Sequence, residues 1–155
     1  MTKAEKISFK QKLKQAGLAV IEQRMASAQQ LMQEAQESAN AEGKSSAGDK
    51  YETARAMGHL QKDMYARQFA EQAKERAALQ TVNVDSTVES VATGAYVQCG
   101  KTAFFIAAGL GKQEIEGKII FFLSPQAPLA LLMQHKKAGD HFVFNNTHTI
   151  IAELF

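Results

Sequence analysis

The sequence predicts an α+β fold, and three observations carry that prediction. Up to Gln80 the chain has four glycines and no proline, whereas from Thr81 on it has six glycines and both prolines. β-Branched residues and phenylalanine become more frequent after Thr81. Apolar residues recur at helical spacing in the first part and in short runs between turn residues in the second. The expected organisation is an antiparallel helical hairpin (a coiled coil) over 1–80 with its tip near 42–50, a linker at 81–90, and a small antiparallel sheet with one short helix over 91–155.

The first helix is marked by Leu18, Ile21, Met25, Ala28, Met32, Ala35 and Ala39, spaced alternately three and four apart. That is a heptad seam. The second helix carries a weaker stripe, Ala54, Met57, Gln61 and Met64 with Leu60 beside them, drifting toward Tyr65 and Phe69. Between the two, Gly43 suits a helix C-terminus, where only glycine takes positive φ freely. Ser45 or Ser46 suits an N-cap, and Ser46 with Asp49 has capping-box spacing with Asp in place of Glu. Antiparallel helices pair positions whose numbers sum to a constant. Met25 with Met64, Met32 with Met57 and Ala35 with Ala54 all share the sum 89, which centres the bend between Lys44 and Ser45. At about 1.5 Å per residue, a ~30-residue arm is about 45 Å long, and the expectation is a projecting rod.

In the second part, strands are expected at Ala95–Cys99, Thr102–Ala107, Lys118–Leu123, His141–Phe144 and Thr147–Leu154. Gly100-Lys101 and Asn145-Asn146 are two-residue hairpin signals; the second is stronger because Asn tolerates positive φ. A short helix packed on the sheet is expected within Pro125–Lys137. The expected core is Phe104, Ile106, Ile120, Phe122, Leu132, Val143 and Ile150, each contributing roughly 2 kcal/mol on burial.

Composition sets limits on function. The chain has 155 residues, 45% hydrophobic and 22% charged, which are globular values. Its net charge of +2 is small for a protein that grips duplex DNA through many phosphates. One cysteine, Cys99, excludes an internal disulfide and a multi-cysteine zinc cage. No apolar run approaches the ~20 residues that span a bilayer, and the lysines near the N-terminus interrupt any signal-peptide core. The expectation is a cytoplasmic protein without membrane association. Cys99 reads as a small buried thiol rather than a nucleophile. Of the histidines His59, His135, His141 and His148, the last two flank the Asn-Asn turn, with no third metal ligand in view. Gly109-Leu110-Gly111-Lys112 lacks phosphate-loop spacing and reads as a turn.

The order of a helical hairpin followed by a small sheet, together with Ser124-Pro125-Gln126-Ala127-Pro128-Leu129-Ala130-Leu131-Leu132 and then Lys136-Lys137-Ala138-Gly139-Asp140, resembles the bacterial Gre transcript-cleavage factors over nearly the whole chain. Gly94-Ala95-Tyr96-Val97 and Ile106-Ala107-Ala108-Gly109 are similar to further elements of that family. The resemblance implies an FKBP-like sheet domain and RNA polymerase as partner, with the hairpin entering the secondary channel. It implies no intrinsic cofactor, but a Mg²⁺ shared with the polymerase active centre and held by two tip acids.

Anchored on Tyr51, those acids fall on Lys44 and Ala47, neither of which can hold Mg²⁺ as an anion. The acids left near the bend are Glu42 and Asp49. Glu42 is otherwise a solvated charge and Asp49 a helix-capping one. Lys44, Ser45 and Ser46 complete the tip, as contacts to RNA, phosphate or an acidic loop, or simply as a solvated lysine and helix caps. The polymerase-docking candidates by resemblance are Ser124, Pro125, Leu129, Lys137 and Asp140. The leading expectation is therefore a Gre-like regulator that is not an enzyme. The alternatives are an FKBP-like peptidyl-prolyl isomerase or chaperone, and a coiled-coil self-association module forming a homodimer.

Overall fold

A computed structural model describes residues 1–42 and 48–155. The chain forms two compact units, one of residues 1–19 with 78–155 and one of residues 20–77. The helices α1 (Lys3–Glu42) and α2 (Gly48–Gln80) confirm the predicted helical hairpin, and the C-terminal sheet with its short helix completes the α+β class.

In the unit of residues 20–77, the α1 seam is the predicted one: Ile21, Met25, Ala28, Ala35 and Ala39 are buried and Met32 is half-buried. The α2 face is not. Met57, Leu60 and Met64 are 54%, 62% and 40% exposed, while Gly58 is buried and Tyr65, Phe69 and Gln72 are half-buried. Gly58 sits so close to Ala39 that an added Cβ would lie 2.7 Å from the Ala39 Cβ. Lys62 Nζ donates to Gln36 Oε1 at 2.9 Å. These two pairs sum to 97 and 98, so the expected apposition of Met32 with Met57 is corrected by about two helical turns. The reason is packing. Turning Tyr65 and Phe69 inward covers more apolar area than two methionines, and Gly58 lets the backbones close up.

In the other unit, five strands form one sheet in the order β3-β4-β2-β1-β7. They are β1 (Tyr96–Cys99), β2 (Thr102–Ile106), β3 (Gly111–Ile115), β4 (Lys118–Leu123) and β7 (Glu153–Leu154). A separate hairpin pairs β5 (His141–Phe144) with β6 (Thr147–Ile150), and α3 (Pro128–Met133) lies between β4 and β5 in the chain. Three differences from expectation concern the sheet. β2 and β4 are parallel, with Phe104 opposite Phe121 and Phe105 opposite Phe122. The stretch around Gly111 forms a strand rather than a plain turn, closed onto β4 through Glu116 and Gly117, both at positive φ. The single strand expected over Thr147–Leu154 is two, β6 and β7, because Ile151 hydrogen-bonds Asp140 and Gly139 while Ala152 donates to Gln98.

Both faces of the sheet are covered, which explains the doubled phenylalanines Phe104-Phe105 and Phe121-Phe122. On one face, Val97, Cys99, Phe104 and Ile106 pack with Ala130, Met133, Phe142 and Ile151. On the other, Tyr96, Phe105 and Phe122 follow by strand alternation. There Phe9 of α1 meets Tyr96 edge-on at 5.2 Å, and Phe105 meets Phe122 at 5.3 Å. Gly17 lies against Leu79, Phe122 and Leu110.

The predicted core holds at Phe104, Ile106, Ile120 and Phe122. It fails at Leu132, Val143 and Ile150, which are 40%, 47% and 60% exposed; their neighbours Met133, Phe142 and Ile151 are buried instead. At Val143 and Ile150 this is a one-position slip in apolar runs, since one residue along a strand reverses the face, whereas α3 turns Ala130 and Met133 inward and leaves Leu132 outside. Residues 81–90 bury Val82 and Val84. Lys10 donates to Ser86 O at 2.9 Å, and Lys14 donates to Gln80 O and Val82 O at 2.9 Å each. No helix among the described residues is long and apolar enough to cross a membrane.

Candidate functional site

Residues 124–140 form a continuous surface feature built from local chemistry. Ser124 Oγ accepts the Gln126 amide at 3.2 Å and pairs with Gln126 Oε1 at 2.8 Å, turning the chain after β4. Pro128 stands in the first turn of α3, where its missing N–H costs nothing. The helix is shorter than the expected Pro125–Lys137 span. It buries Ala130 and Met133 and leaves Leu131 54% and Leu132 40% exposed. It stops where His135 takes φ 67° and the chain turns to exchange hydrogen bonds with Val91, from His135 N and to Lys136 O. The Asp140 carboxylate accepts the Lys137 amide at 2.8 Å, while Asp140 N donates to Lys137 O at 3.0 Å. Asp140 thus holds a turn. Lys137 is exposed, Pro125 is half-buried, and Leu129 is half-buried at the wall of a cavity.

That cavity has a volume of about 310 Å³ and lies where the β5–β6 hairpin meets the sheet. Its apolar wall is Cys99, Phe104, Leu129, Phe142 and Phe144, and its rim is polar, with Thr102, Asn145, Thr147 and Thr149. The hairpin places these side chains. Asn145 and Asn146 both take positive φ, at 51° and 62°, so the turn needs only two residues. Phe142 then faces Thr149 and Phe144 faces Thr147. Burial raises the Cys99 thiol to about 11, so at neutral pH it is a protonated thiol, a packing element and not a nucleophile. Among the described residues, no charged side chain lines the cavity.

On the opposite face of the same hairpin, His141 pairs with Ile150 and Val143 with His148, so the two imidazoles are diagonal neighbours. Among the described residues, no group of three potential metal ligands assembles anywhere. The expected tip residues Lys44, Ser45 and Ser46, with Ala47, lie outside the described residues, as do the side chains of Glu42, which ends α1, and Asp49, in the first turn of α2. Sequence reasoning missed Phe142, Phe144, Thr147 and Thr149 as a set. The signal was available, since a two-residue turn at Asn145-Asn146 dictates those pairs.

In comparisons with known proteins, no family model, no curated protein and no solved structure matches the chain.

Proposed function

We propose that this protein is a Gre-like, RNA polymerase-binding transcription regulator, cytoplasmic and not itself an enzyme. The observation that carries the reading is the combination, in one chain, of a helical hairpin with a small sheet unit whose segment 124–140 stands at the surface. The sequence of that segment, Ser124 through Asp140, is where the likeness to the Gre factors is strongest. In this reading Ser124, Pro125, Leu129 and Lys137 meet the polymerase rim, joined by the exposed Leu131 and Leu132, and Asp140 keeps Lys137 in place. The hairpin occupies the secondary channel. With Lys44 and Ala47 where carboxylates would hold Mg²⁺, it regulates without stimulating cleavage; Glu42 and Asp49 are the residues left to share a metal.

The test is capture of purified bacterial RNA polymerase by the tagged protein, followed by a cleavage assay on a backtracked complex. Capture that weakens at least tenfold with Lys137→Glu, and no cleavage stimulation, is the expected result. Failure of the unaltered protein to capture polymerase would sink the proposal, and strong cleavage would remove its regulatory, non-stimulating part. The phenylalanine-walled cavity favours a second reading, a proline-peptide binder with isomerase activity. A prolyl isomerisation assay on a short peptide separates the two, with Phe144→Ala as the control because Phe144 is 37% exposed and its truncation spares the core.

A further inference from the structure

β2 and β4 run parallel and side by side, so the turns that precede them, at Gly100-Lys101 and Glu116-Gly117, stand at the same end of the sheet. One row of residues crosses the four strands β7, β1, β2 and β4: Glu153 opposite Gln98, Gln98 opposite Ala103, and Ala103 opposite Ile120. Alternation puts Tyr96 on the same face, two residues before Gln98. Phe9 of α1 covers Tyr96, and Lys6 reaches Glu153 at 3.8 Å. Between these contacts and the two turns, over the single methyl of Ala103, lies a cleft of about 520 Å³. It is on the sheet face opposite the phenylalanine-walled cavity. Its floor is held in place: the Tyr96 hydroxyl donates to Gln98 Oε1 at 2.5 Å, and Gln98 Nε2 donates to Gly100 O at 2.7 Å, which ties the floor to the first turn.

The charges say what the cleft takes. Lys101 and Lys118 line it, two residues before Ala103 and Ile120 and so at one level on neighbouring strands. Neighbouring strands lie about 4.8 Å apart, and like charges placed side by side there repel. Among the described residues neither lysine has a carboxylate partner: Glu116, beside the second turn, pairs with Lys12 at 2.8 Å, and Glu153 faces Lys6. The Lys118 ammonium stands 5.4 Å from the Phe9 ring centroid, along the wall of the cleft. Two cations without a counter-charge call for a dianion. A phosphate monoester carries about −1.5 to −2 at pH 7 and has three acceptor oxygens, enough for both ammoniums, whereas one carboxylate leaves a charge unmet. The volume is that of a whole small-molecule site and not of a single ion. Beyond the lysines the cleft offers acceptors, the Glu153 carboxylate and the Tyr96 hydroxyl oxygen, which suit the hydroxyls of a sugar. We propose that this cleft binds a small sugar phosphate, with the phosphoryl group between Lys101 and Lys118 and the hydroxylated body toward Gln98 and Glu153.

Titration of the full chain with ribose 5-phosphate and with glucose 6-phosphate, followed through amide resonances, tests this. The expected result is saturable shifts at Gly100, Ala103 and Gly117 with at least one of the two, at a Kd below about 1 mM. Inorganic phosphate should bind at least tenfold more weakly, and ribose and glucose should not bind. Lys101→Met with Lys118→Met, both at exposed positions, should weaken binding at least tenfold while the dispersion of the spectrum shows the fold intact. Lys101→Arg with Lys118→Arg should keep it. Lys112→Met, on the other face of the sheet beside Phe121, should change nothing. No saturable shift with either sugar phosphate would overturn the proposal. So would an equal loss with Lys112→Met, which marks diffuse attraction to surface charge, or equal affinity for succinate, which assigns the cleft to carboxylates. Inorganic phosphate binding as tightly as the esters would overturn the sugar part.

Discussion

Lys10 is fully buried, and its ammonium donates to the backbone carbonyl of Ser86. Removal from water lowers its pKa from 10.5 to about 8. The folded protein therefore holds this proton less tightly than the unfolded chain does. Stability rises with pH between about 8 and 10.5, and the cost of burying the charge is fully present below 8. Cys99 and Tyr96 act the other way. Both are raised, Cys99 by burial and Tyr96 by burial and then by Glu153, so stability is lost as the unfolded thiol and phenol ionise above about 9. Comparing variants isolates the lysine. Lys10→Met should lose the gain in urea stability between pH 7.5 and 9 relative to the unaltered protein, and should be at least as stable at pH 7, by about 1 kcal/mol once the lost hydrogen bond is offset. A parallel pH profile for the two proteins would show that the amine stays solvated. Gly58 gives a second test at this scale. Alanine there would gain about 1 kcal/mol of helix propensity, yet its Cβ would meet Ala39 Cβ at 2.7 Å. The expected net is a loss of about 1–2 kcal/mol in thermal unfolding, recovered in part by Ala39→Gly, which reopens the space.

At the scale of elements, what was legible in the sequence depended on whether a residue had one choice of face or two. The α1 seam was readable because its apolar positions are isolated among polar ones, from Ile21 to Ala39. The α2 face was not, because Met57 and Leu60 compete with Tyr65 and Phe69, and the glycine that decides between them has no hydrophobicity to announce it. The sheet followed the same logic. Phe104 and Phe122 were assigned to the core, but the core also needs Phe105, and no pattern of alternation survives when both faces are covered. β5 and β6 slipped by one because Phe142-Val143 and Ile150-Ile151 are apolar on either register. The turn at Asn145-Asn146, by contrast, was plain from residue type, and it positions the cavity wall. That turn carries a prediction. Asn146, at φ 62°, should gain about 0.5–1 kcal/mol when replaced by glycine and lose more when replaced by valine, which is strained there. The valine variant should also broaden amide resonances of Phe142, Phe144 and Thr149, since the register that pairs them depends on the turn. The tip could be read only as a sequence, and its chemistry rests on the resemblance.

At the scale of the whole molecule, the sheet unit is assembled from both ends of the chain. Phe9 meets Tyr96 and Phe155, the last residue, and Lys6 lies 5.3 Å over the Phe155 ring while its ammonium reaches Glu153 at 3.8 Å. Leu13 and Leu79 are fully buried here. Without residues 1–19, the face bearing Tyr96, Phe105 and Phe122 loses part of its cover, and at roughly 1.5–3 kcal/mol per large apolar side chain that loss exceeds the margin of a small domain. Residues 78–155 alone should therefore give poorly dispersed amide spectra. A chain in which a short Gly/Ser linker joins Ala19 directly to Ala78 should restore dispersion, because Leu79 already lies against Gly17 and the linker has little distance to cover. Such a chain retains Ser124 through Asp140 and lacks the α2 stripe. It should still be captured by RNA polymerase. Capture by the shortened chain would assign polymerase binding to the sheet unit. Failure of a well-dispersed shortened chain to be captured, where the full chain succeeds, would assign it to the helices and remove the docking role from residues 124–140.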